Sequence, residues 1–172
     1  AGFLIQLLQL MTIQESYLRS TVFGFQDALV STTGVIVGIA TGTQDKSIVV
    51  LAGVATIMVE ALSMAVGQYM SEKTVHQYDK GKIRTDSLVI SALLMYGSYF
   101  LGGLVPLIPI LLFRLPEASI LSIIFSLIGL FILGIARAKL VKEPPLRSAL
   151  EILILGGAAT AVGLIVGYLL HV

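Results

Sequence analysis

Residues 48–70 read IVVLAGVATIMVEALSMAVGQYM and contain a single charged residue, Glu60. A helix rises about 1.5 Å per residue, so a helix of this length crosses about 30 Å of hydrocarbon. The stretch has neither the alternation of a half-buried strand nor the broad polar face of a soluble helix. Residues 48–70 therefore predict a helix that spans a lipid bilayer.

Four further stretches have the same character. The chain of 172 residues is 56% hydrophobic and 12% charged, with a mean hydropathy of +0.97, whereas soluble proteins carry about 25% charged residues. The pattern predicts an all-α integral membrane protein with five transmembrane helices, at residues 22–40, 48–70, 88–113, 120–136 and 149–170. The scattered basic residues do not form a nucleic-acid patch. The absence of cysteine excludes disulfides and thiolate metal sites.

The connecting segments differ in charge between the two sides of the predicted membrane. One side holds nine of the eleven Lys and Arg residues, and because such residues favour cytoplasmic loops, the N-terminus is predicted to be cytoplasmic. Residues 1–18 show apolar side chains at helical spacing and predict an interfacial amphipathic helix, with a disordered remnant of a longer N-terminus as the alternative. Residues 19–172 would form one five-helix transmembrane domain, with a short cytoplasmic linker at 71–86.

Two carboxylates lie inside predicted spans. Asp27 is in the first span, and Glu60 lies ten or more residues from either end of the second. Placing such a group at the centre of the hydrocarbon layer costs about 2.5 to 3.5 kcal/mol. Intramembrane acids usually face the interior of the helix bundle, where they bind a cation, pass protons or pair with a base. We therefore expect the functional site around Asp27 and Glu60.

Polar and sulfur-containing side chains recur every four residues along the second span, so they lie on nearly one helix face. Carboxylate, thioether and amide ligands together suit Fe²⁺ or Mn²⁺ better than Mg²⁺ or Ca²⁺. A metal shared between this face and the first span would neutralise charges that lipid cannot solvate, and a proton could occupy the empty site. The candidate metal ligands are Asp27, Glu60, Met64, Gln68, Glu72 and His76.

Most of these candidates have a simpler alternative. Asp27 could cap the first span at headgroup level and pair with Arg19, two turns earlier. Met64 could fill the core, as methionine often does. Glu72 and His76 could be solvated residues of a cytoplasmic loop. Glu60 has the weakest alternative, because it is too deep to reach the headgroups.

Proline and glycine indicate two further features. The third span contains Pro106 and Pro109, which predict a kink or local unwinding that either lines a cavity or serves packing alone. Glycines at four-residue spacing favour close helix packing, within one chain or in a dimer. These glycines are Gly34, Gly38 and Gly42 in the first span and Gly163 and Gly167 in the fifth.

The sequence contains no recognisable enzyme pattern. Intramembrane aspartyl proteolysis would need a second intramembrane aspartate besides Asp27, and a serine protease would need a histidine within the bundle. Neither a Gly-rich phosphate loop nor a His-Glu-x-x-His pattern occurs. We predict a protein that is not an enzyme, with no catalytic residues and no cofactor.

Four short motifs follow one another along the chain. Residues 19–32, RSTVFGFQDALVST, place an Arg before Val-Phe-Gly, then Asp, then Leu-Val-Ser-Thr, and residues 61–71 read ALSMAVGQYMS. Residues 103–109, GLVPLIP, and 146–150, LRSAL, complete the set. Together they resemble the motifs of the vacuolar iron transporter family over nearly the whole chain from Arg19.

The resemblance implies a five-helix, dimeric exporter of Fe²⁺, and often Mn²⁺, from the cytoplasm into a vacuole or out of a bacterial cell, in exchange for protons. It also implies that Asp27 and Met64 line the ion path. Three features depart from the family pattern. The linker is short, as in nodulin-like members that lack the Glu-rich cytoplasmic domain, Gln68 replaces a Glu, and Ala28 replaces a Gly. We hypothesise that Glu60 takes over the role of the lost carboxylate.

These observations favour a homodimeric, proton-coupled Fe²⁺/Mn²⁺ antiporter. Asp27, Glu60 and Met64 would form its mid-membrane site, and the other three candidates would line the cytoplasmic approach. Its partners would be metal ions, protons and the lipid bilayer of a prokaryotic cell or a eukaryotic vacuole. The alternatives are a non-transporting membrane scaffold whose buried acids pair with a partner's base, and a transporter of another cation.

Overall fold

Five long helices form the described part of the chain. The computed structural model describes residues 2–43, 45–78 and 85–170, with side chains from residue 14 in the first range and from residue 86 in the third. The helices are α1 (Gly2–Thr43), α2 (Lys46–Tyr78), α3 (Thr85–Leu112), α4 (Glu117–Val141) and α5 (Pro145–Leu169). The described residues contain no strand. The prediction of an all-α fold is therefore confirmed.

All five helices are long and apolar enough to cross a membrane, as predicted. In α1, the part with described side chains that qualifies as a span is Gln14–Thr43, and α1 itself runs without a break from Gly2. Residues 2–18 therefore belong to the same helix as the first span. The amphipathic character predicted for residues 1–18 stays a prediction, because most of its side chains lie outside the described residues.

The first helix is the centre of the bundle. It packs against each of the other four helices, whereas α2 packs against α1 and α3 alone among the described elements. The buried residues of α2 form a narrow stripe that includes Val49, Ile57 and Ala61. Its opposite side is open and apolar, with Leu51 71% and Val59 67% exposed. Such a face suits lipid or a second protein surface.

The glycines of the first and fifth spans pack against each other within one chain. A Cβ on Gly38 would lie 2.7 Å from the carbonyl oxygen of Gly163. Carbon atoms added to Gly163 and Gly167 would collide with the carbonyl oxygens of Gly34 and Gly38. The small residues therefore let two backbones approach closely. Of the two predicted roles, the structure gives these glycines tight packing inside the bundle.

The third helix continues through both of its prolines. Pro106 and Pro109 are buried, and the helix ends only at Leu112. The Ser122 hydroxyl on α4 donates a hydrogen bond of 2.8 Å to the Pro106 carbonyl. Neighbouring helices can satisfy polar backbone groups near a proline in this way. Local unwinding is therefore wrong, the kink stays a prediction, and the prolines belong to the packed core.

The second helix is longer than the span predicted from hydropathy. It continues to Tyr78, eight residues into the segment predicted as a linker, and α3 begins at Thr85. Residues 79–84 lie outside the described part. The extension of α2 has a physical reason, because Ser16 and Arg19 of α1 bind the buried Glu72 and Ser91 of α3 binds Gln68 one turn earlier.

Candidate functional site

Three helices meet where the functional site was predicted. Ala28 of α1, Ala61 of α2 and Tyr99 of α3 are fully buried against one another. The small side chains of the two alanines let α1 and α2 come close. Each alanine directly follows a carboxylate in the sequence, Asp27 or Glu60. The fold therefore brings the two intramembrane acids to one junction.

The replacement of Gly by Ala at position 28 fits this junction. A Cβ on Gly102 of α3 would lie 3.0 Å from the Cβ of Ala28. The methyl group of Ala28 therefore fills space that the glycine on the facing helix leaves free. This departure from the family pattern is accommodated by packing.

Two hydroxyl groups hold the carboxylate of Glu60. The Tyr99 hydroxyl donates a hydrogen bond to Glu60 Oε2, and the Ser31 hydroxyl lies 3.2 Å from the same oxygen. Ser31 and Tyr99 also lie within hydrogen-bond distance of each other, at 2.6 Å. Glu60 is thus tied to α1 and α3 through neutral donors.

Asp27 lies one helical turn before Ser31 on α1 and is partly buried. The negative charge of Glu60 acts on it. No salt bridge among the described residues involves Asp27 or Glu60. The alternative in which Asp27 pairs with Arg19 is wrong, because the Arg19 guanidinium binds Glu72 instead.

Met64 completes this junction from α2. It lies one turn beyond Glu60 and packs against the cluster of Ala28, Ala61 and Tyr99. Its thioether is therefore next to the Glu60 carboxylate along the helix. We call Asp27, Ser31, Glu60, Met64 and Tyr99 the Glu60 cluster.

A second polar cluster lies farther along α2. Glu72 is buried, and its Oε1 accepts hydrogen bonds from Ser16 at 2.5 Å, Arg19 at 2.6 Å and Gln68 at 3.1 Å. Ser91 of α3 joins the network, 3.0 Å from the hydroxyl of Ser16 and 3.0 Å from the amide nitrogen of Gln68. We call Ser16, Arg19, Gln68, Glu72 and Ser91 the Glu72 cluster.

The predicted metal ligands therefore separate into two groups. Asp27, Glu60 and Met64 come together, whereas Gln68 and Glu72 join Arg19 in the other cluster. The alternative of a solvated loop is wrong for Glu72, because α2 continues past it and packs beside α1. His76 stays on its own helix, where its Nδ1 lies 2.8 Å from the Glu72 carbonyl oxygen.

The sequence interpretation missed Tyr99, Ser16 and Ser91. A tyrosine in an apolar span indicates a polar partner, because its hydroxyl needs one when it is buried. The signal is weak, because the sequence does not identify that partner. The two serines give no such signal, since serine is common in membrane helices. The structure identifies all three only through the residues that face them on other helices.

The electrostatics of the two clusters are opposite. The Glu60 cluster holds two carboxylates and no base, whereas the Glu72 cluster pairs one carboxylate with one guanidinium. The described residues contain no group of three His, Cys, Asp or Glu side chains that could hold a metal. A cation at the Glu60 cluster would therefore need the thioether and the hydroxyls, or water, in addition to the two acids.

Comparison with known proteins gives the family. The model of the VIT family matches residues 18–90 and 76–168. The chain belongs to the VIT family. Both clusters lie within the matched residues, except for Ser16, and the five spanning helices make this VIT-family protein a multi-pass integral membrane protein.

Curated relatives extend over most of the VIT-family chain. Vacuolar iron transporter homolog 2 of Arabidopsis thaliana is 27% identical over 160 residues, covering 87% of this chain and 82% of the relative. Vacuolar iron transporter 1 of the same plant is 23% identical over 204 residues, covering 83% and 82%. The uncharacterized protein MJ0645 of Methanocaldococcus jannaschii is 27% identical over 167 residues, covering 86% of each chain.

Proposed function

We propose that this VIT-family protein transports Fe²⁺, and also Mn²⁺, across a membrane through the Glu60 cluster. The observation that carries the proposal is the pair of acids, Asp27 and Glu60, inside spanning helices with no base beside them among the described residues. Two anionic groups in such a place need a positive charge, which a bound divalent cation or protons would supply. The relatives include a protein named vacuolar iron transporter 1 and another named as a homolog of such transporters, which supports iron as the cargo.

The ligand chemistry favours first-row metals. Asp27 and Glu60 would supply carboxylate oxygens and Met64 a thioether, while Ser31 and Tyr99 would orient Glu60. Thioether sulfur is a poor ligand for Mg²⁺ and Ca²⁺ and a better one for softer divalent metals. The same five residues therefore support discrimination between Fe²⁺ or Mn²⁺ and the abundant hard cations.

Proton exchange follows from the same charges. When the metal leaves, two acids remain at a junction that the membrane surrounds. Protonation would remove the repulsion between them and lower the cost of an empty site. We propose that protons and metal ions occupy the site in turn, so that the protein is a proton antiporter.

The direction of transport is proposed from the charge of the connecting segments. Among the described residues, the basic side chains lie mainly at the end of the bundle that holds Glu72, which suits the cytoplasmic side. Export would then carry metal from that side past the Glu60 cluster, into a vacuole or out of the cell. Gln68, Glu72 and His76 would lie along the cytoplasmic approach and could act there as transient ligands.

A homodimer is proposed from the outer face of α2. Leu51, Val59 and Leu62 are 71%, 67% and 60% exposed on the helix that carries Glu60. A second copy of the chain packed on this face would cover these side chains and enclose the half-buried side of the Glu60 cluster. The ion path would then lie at the dimer interface.

The test is metal uptake into proteoliposomes that contain a metal-sensitive dye. Fe²⁺ or Mn²⁺ is added under an imposed pH gradient, and Asp27→Asn and Glu60→Gln are compared with Glu117→Gln, which removes an exposed carboxylate from the first turn of α4. We expect both site variants to abolish uptake and the control to keep it. Uptake no higher than in empty vesicles, or site variants as active as the control, would contradict the proposal.

The alternative scaffold function makes a different prediction. A scaffold whose acids pair with a partner's base would bind no metal when purified alone. A metal panel with a pH-sensitive dye also separates a transporter of another cation, because only the true cargo would move protons in the opposite direction.

A further inference from the structure

Arg19 and Glu72 form an ion pair with very unequal exposure. The Glu72 side chain is 9% exposed and the Arg19 side chain 70%, although Nη2 lies 2.6 Å from Oε1. The carboxylate is therefore fixed inside the bundle, while the base reaches it from the surface. A long, exposed arginine can leave such a position by rotating about its own side-chain bonds.

The pair lies on the same two helices as the Glu60 cluster, nearer to the end of the bundle where α2 ends. Glu72 is twelve residues from Glu60 on α2, or about 18 Å along the helix axis. Arg19 is eight residues from Asp27 on α1, or about 12 Å. An ion that enters the junction from this end of the bundle would therefore meet Glu72 before it meets Glu60.

We infer that Glu72 is a cation-binding subsite that Arg19 occupies until a divalent metal ion displaces it. This inference rests on the proposed transport function, and it gives Arg19 the role of a tethered competitor of the cargo. In the resting state the guanidinium supplies the positive charge that the buried carboxylate needs. A partly hydrated ion of charge +2 supplies a larger one.

The surrounding side chains suit both occupants. Ser16 and Ser91 carry hydroxyl oxygens that can donate to the carboxylate or bind a cation. The Gln68 amide now donates to Glu72 and Ser91 through its nitrogen, and a rotation would turn its carbonyl oxygen toward an ion. Hard oxygen ligands with water fit first capture of Fe²⁺ or Mn²⁺ before the thioether of Met64 is reached.

The competing explanation is that the ion pair is purely structural and permanently joins α1 to α2. In that case Arg19 and Glu72 would act together, and loss of either would weaken the protein in the same way. If Arg19 competes with the cargo, the two variants must act in opposite directions on metal affinity. Their comparison therefore decides between the two explanations.

The first experiment measures Mn²⁺ binding to the purified full chain in detergent, from the electron paramagnetic resonance signal of free Mn²⁺. We expect Arg19→Gln to bind Mn²⁺ about fivefold more tightly at a site that Glu72→Gln removes. The double variant should behave like Glu72→Gln alone. Arg137→Gln is the matched control, because Arg137 lies 3.9 Å from an exposed partner, Glu151, and it should change nothing.

A second, more conservative variant keeps the test valid if Arg19→Gln does not fold. Arg19→Lys keeps the charge but loses the fork geometry of the guanidinium, and we expect an intermediate gain in affinity. An affinity that is unchanged or lower in both Arg19 variants would overturn the inference. So would a gain that persists after Glu72→Gln.

The second experiment separates this inference from the proposed function. Mn²⁺ uptake is measured against external concentration in proteoliposomes, where Arg19→Gln should lower the half-saturating concentration about fivefold and Glu60→Gln should abolish uptake in every background. Absence of uptake by the unmodified protein would overturn the proposed function. Uptake that needs Glu60 but has the same half-saturation with and without Arg19 would overturn the inference alone.

Discussion

Glu60 and Glu72 are two glutamates on one helix, three turns apart, with opposite surroundings. Glu72 accepts hydrogen bonds from an arginine, an amide and a hydroxyl. Glu60 accepts hydrogen bonds from Ser31 and Tyr99, which carry no charge, and its own charge acts on a second acid, Asp27. Among the described residues, the acid near the end of the bundle thus has a cationic partner and the deeper acid has none. A missing counter-charge, more than burial itself, therefore favours Glu60 over Glu72 as the site of the proposed transport.

The largest effect is expected from a substitution of Glu60, the deeper of the two glutamates. Glu60→Gln should reduce metal uptake by about 100-fold or more, because a path ligand and a negative charge are lost together. Uptake by proteoliposomes is the measurement, and Glu117→Gln is the control. A variant that transports as well as this control would remove Glu60 from the ion path.

The second effect concerns stability. Glu72→Gln should lower the free energy of unfolding by about 1.5 to 3 kcal/mol, because hydrogen bonds to a charged group are lost. Glu60→Gln should leave the melting temperature of the metal-free protein unchanged or raise it, because it removes an uncompensated charge. Thermal unfolding of both variants in one detergent measures the difference. Equal losses would mean that the two acids are alike in their surroundings.

The third effect tests how Glu60 is oriented. Tyr99→Phe removes the hydroxyl that donates to Glu60 and should lower uptake about tenfold, as is typical when a ligand loses its supporting hydrogen bond. Tyr96→Phe is the matched control. The Tyr96 and Phe100 rings are stacked with their centroids 6.2 Å apart, and both pack against the cluster that contains Tyr99. If both variants lose the same activity, packing and not the hydroxyl supports the site.

The smallest effect concerns the serine that joins the Glu72 cluster to α3. Ser91→Ala should lower the free energy of unfolding by about 1 kcal/mol, because Ser16, Ser20 and Gln68 each lose one hydrogen bond to it. Uptake should change little. Ser71→Ala, at an exposed position of α2, should be neutral in the same thermal measurement. A neutral Ser91→Ala would show that water replaces these contacts.

Hydropathy predicted the five spans well because each helix must satisfy its backbone within the membrane, whatever its neighbours are. The depth of Glu60 was also predictable, since the apolar sequence on both sides of it fixes that depth. The pairing of Arg19 with Glu72 was not predictable, because both residues lie outside the spans predicted at 22–40 and 48–70, on helices that continue past those spans. Tyr99 was missed for a related reason, since its role depends on a residue thirty-nine positions away on another helix.

The glycine seam between α1 and α5 has a mechanical consequence. Backbone lies directly on backbone there, so a slide of one residue would drive a side chain such as Val37 or Ile39 into a carbonyl group. The two helices are therefore locked in register and should behave as a rigid frame. By contrast, α2 packs against two of the other described helices, α1 and α3. A motion that opens the bundle to one side and then the other should therefore move α2 relative to that frame, because α3 is itself packed along α1.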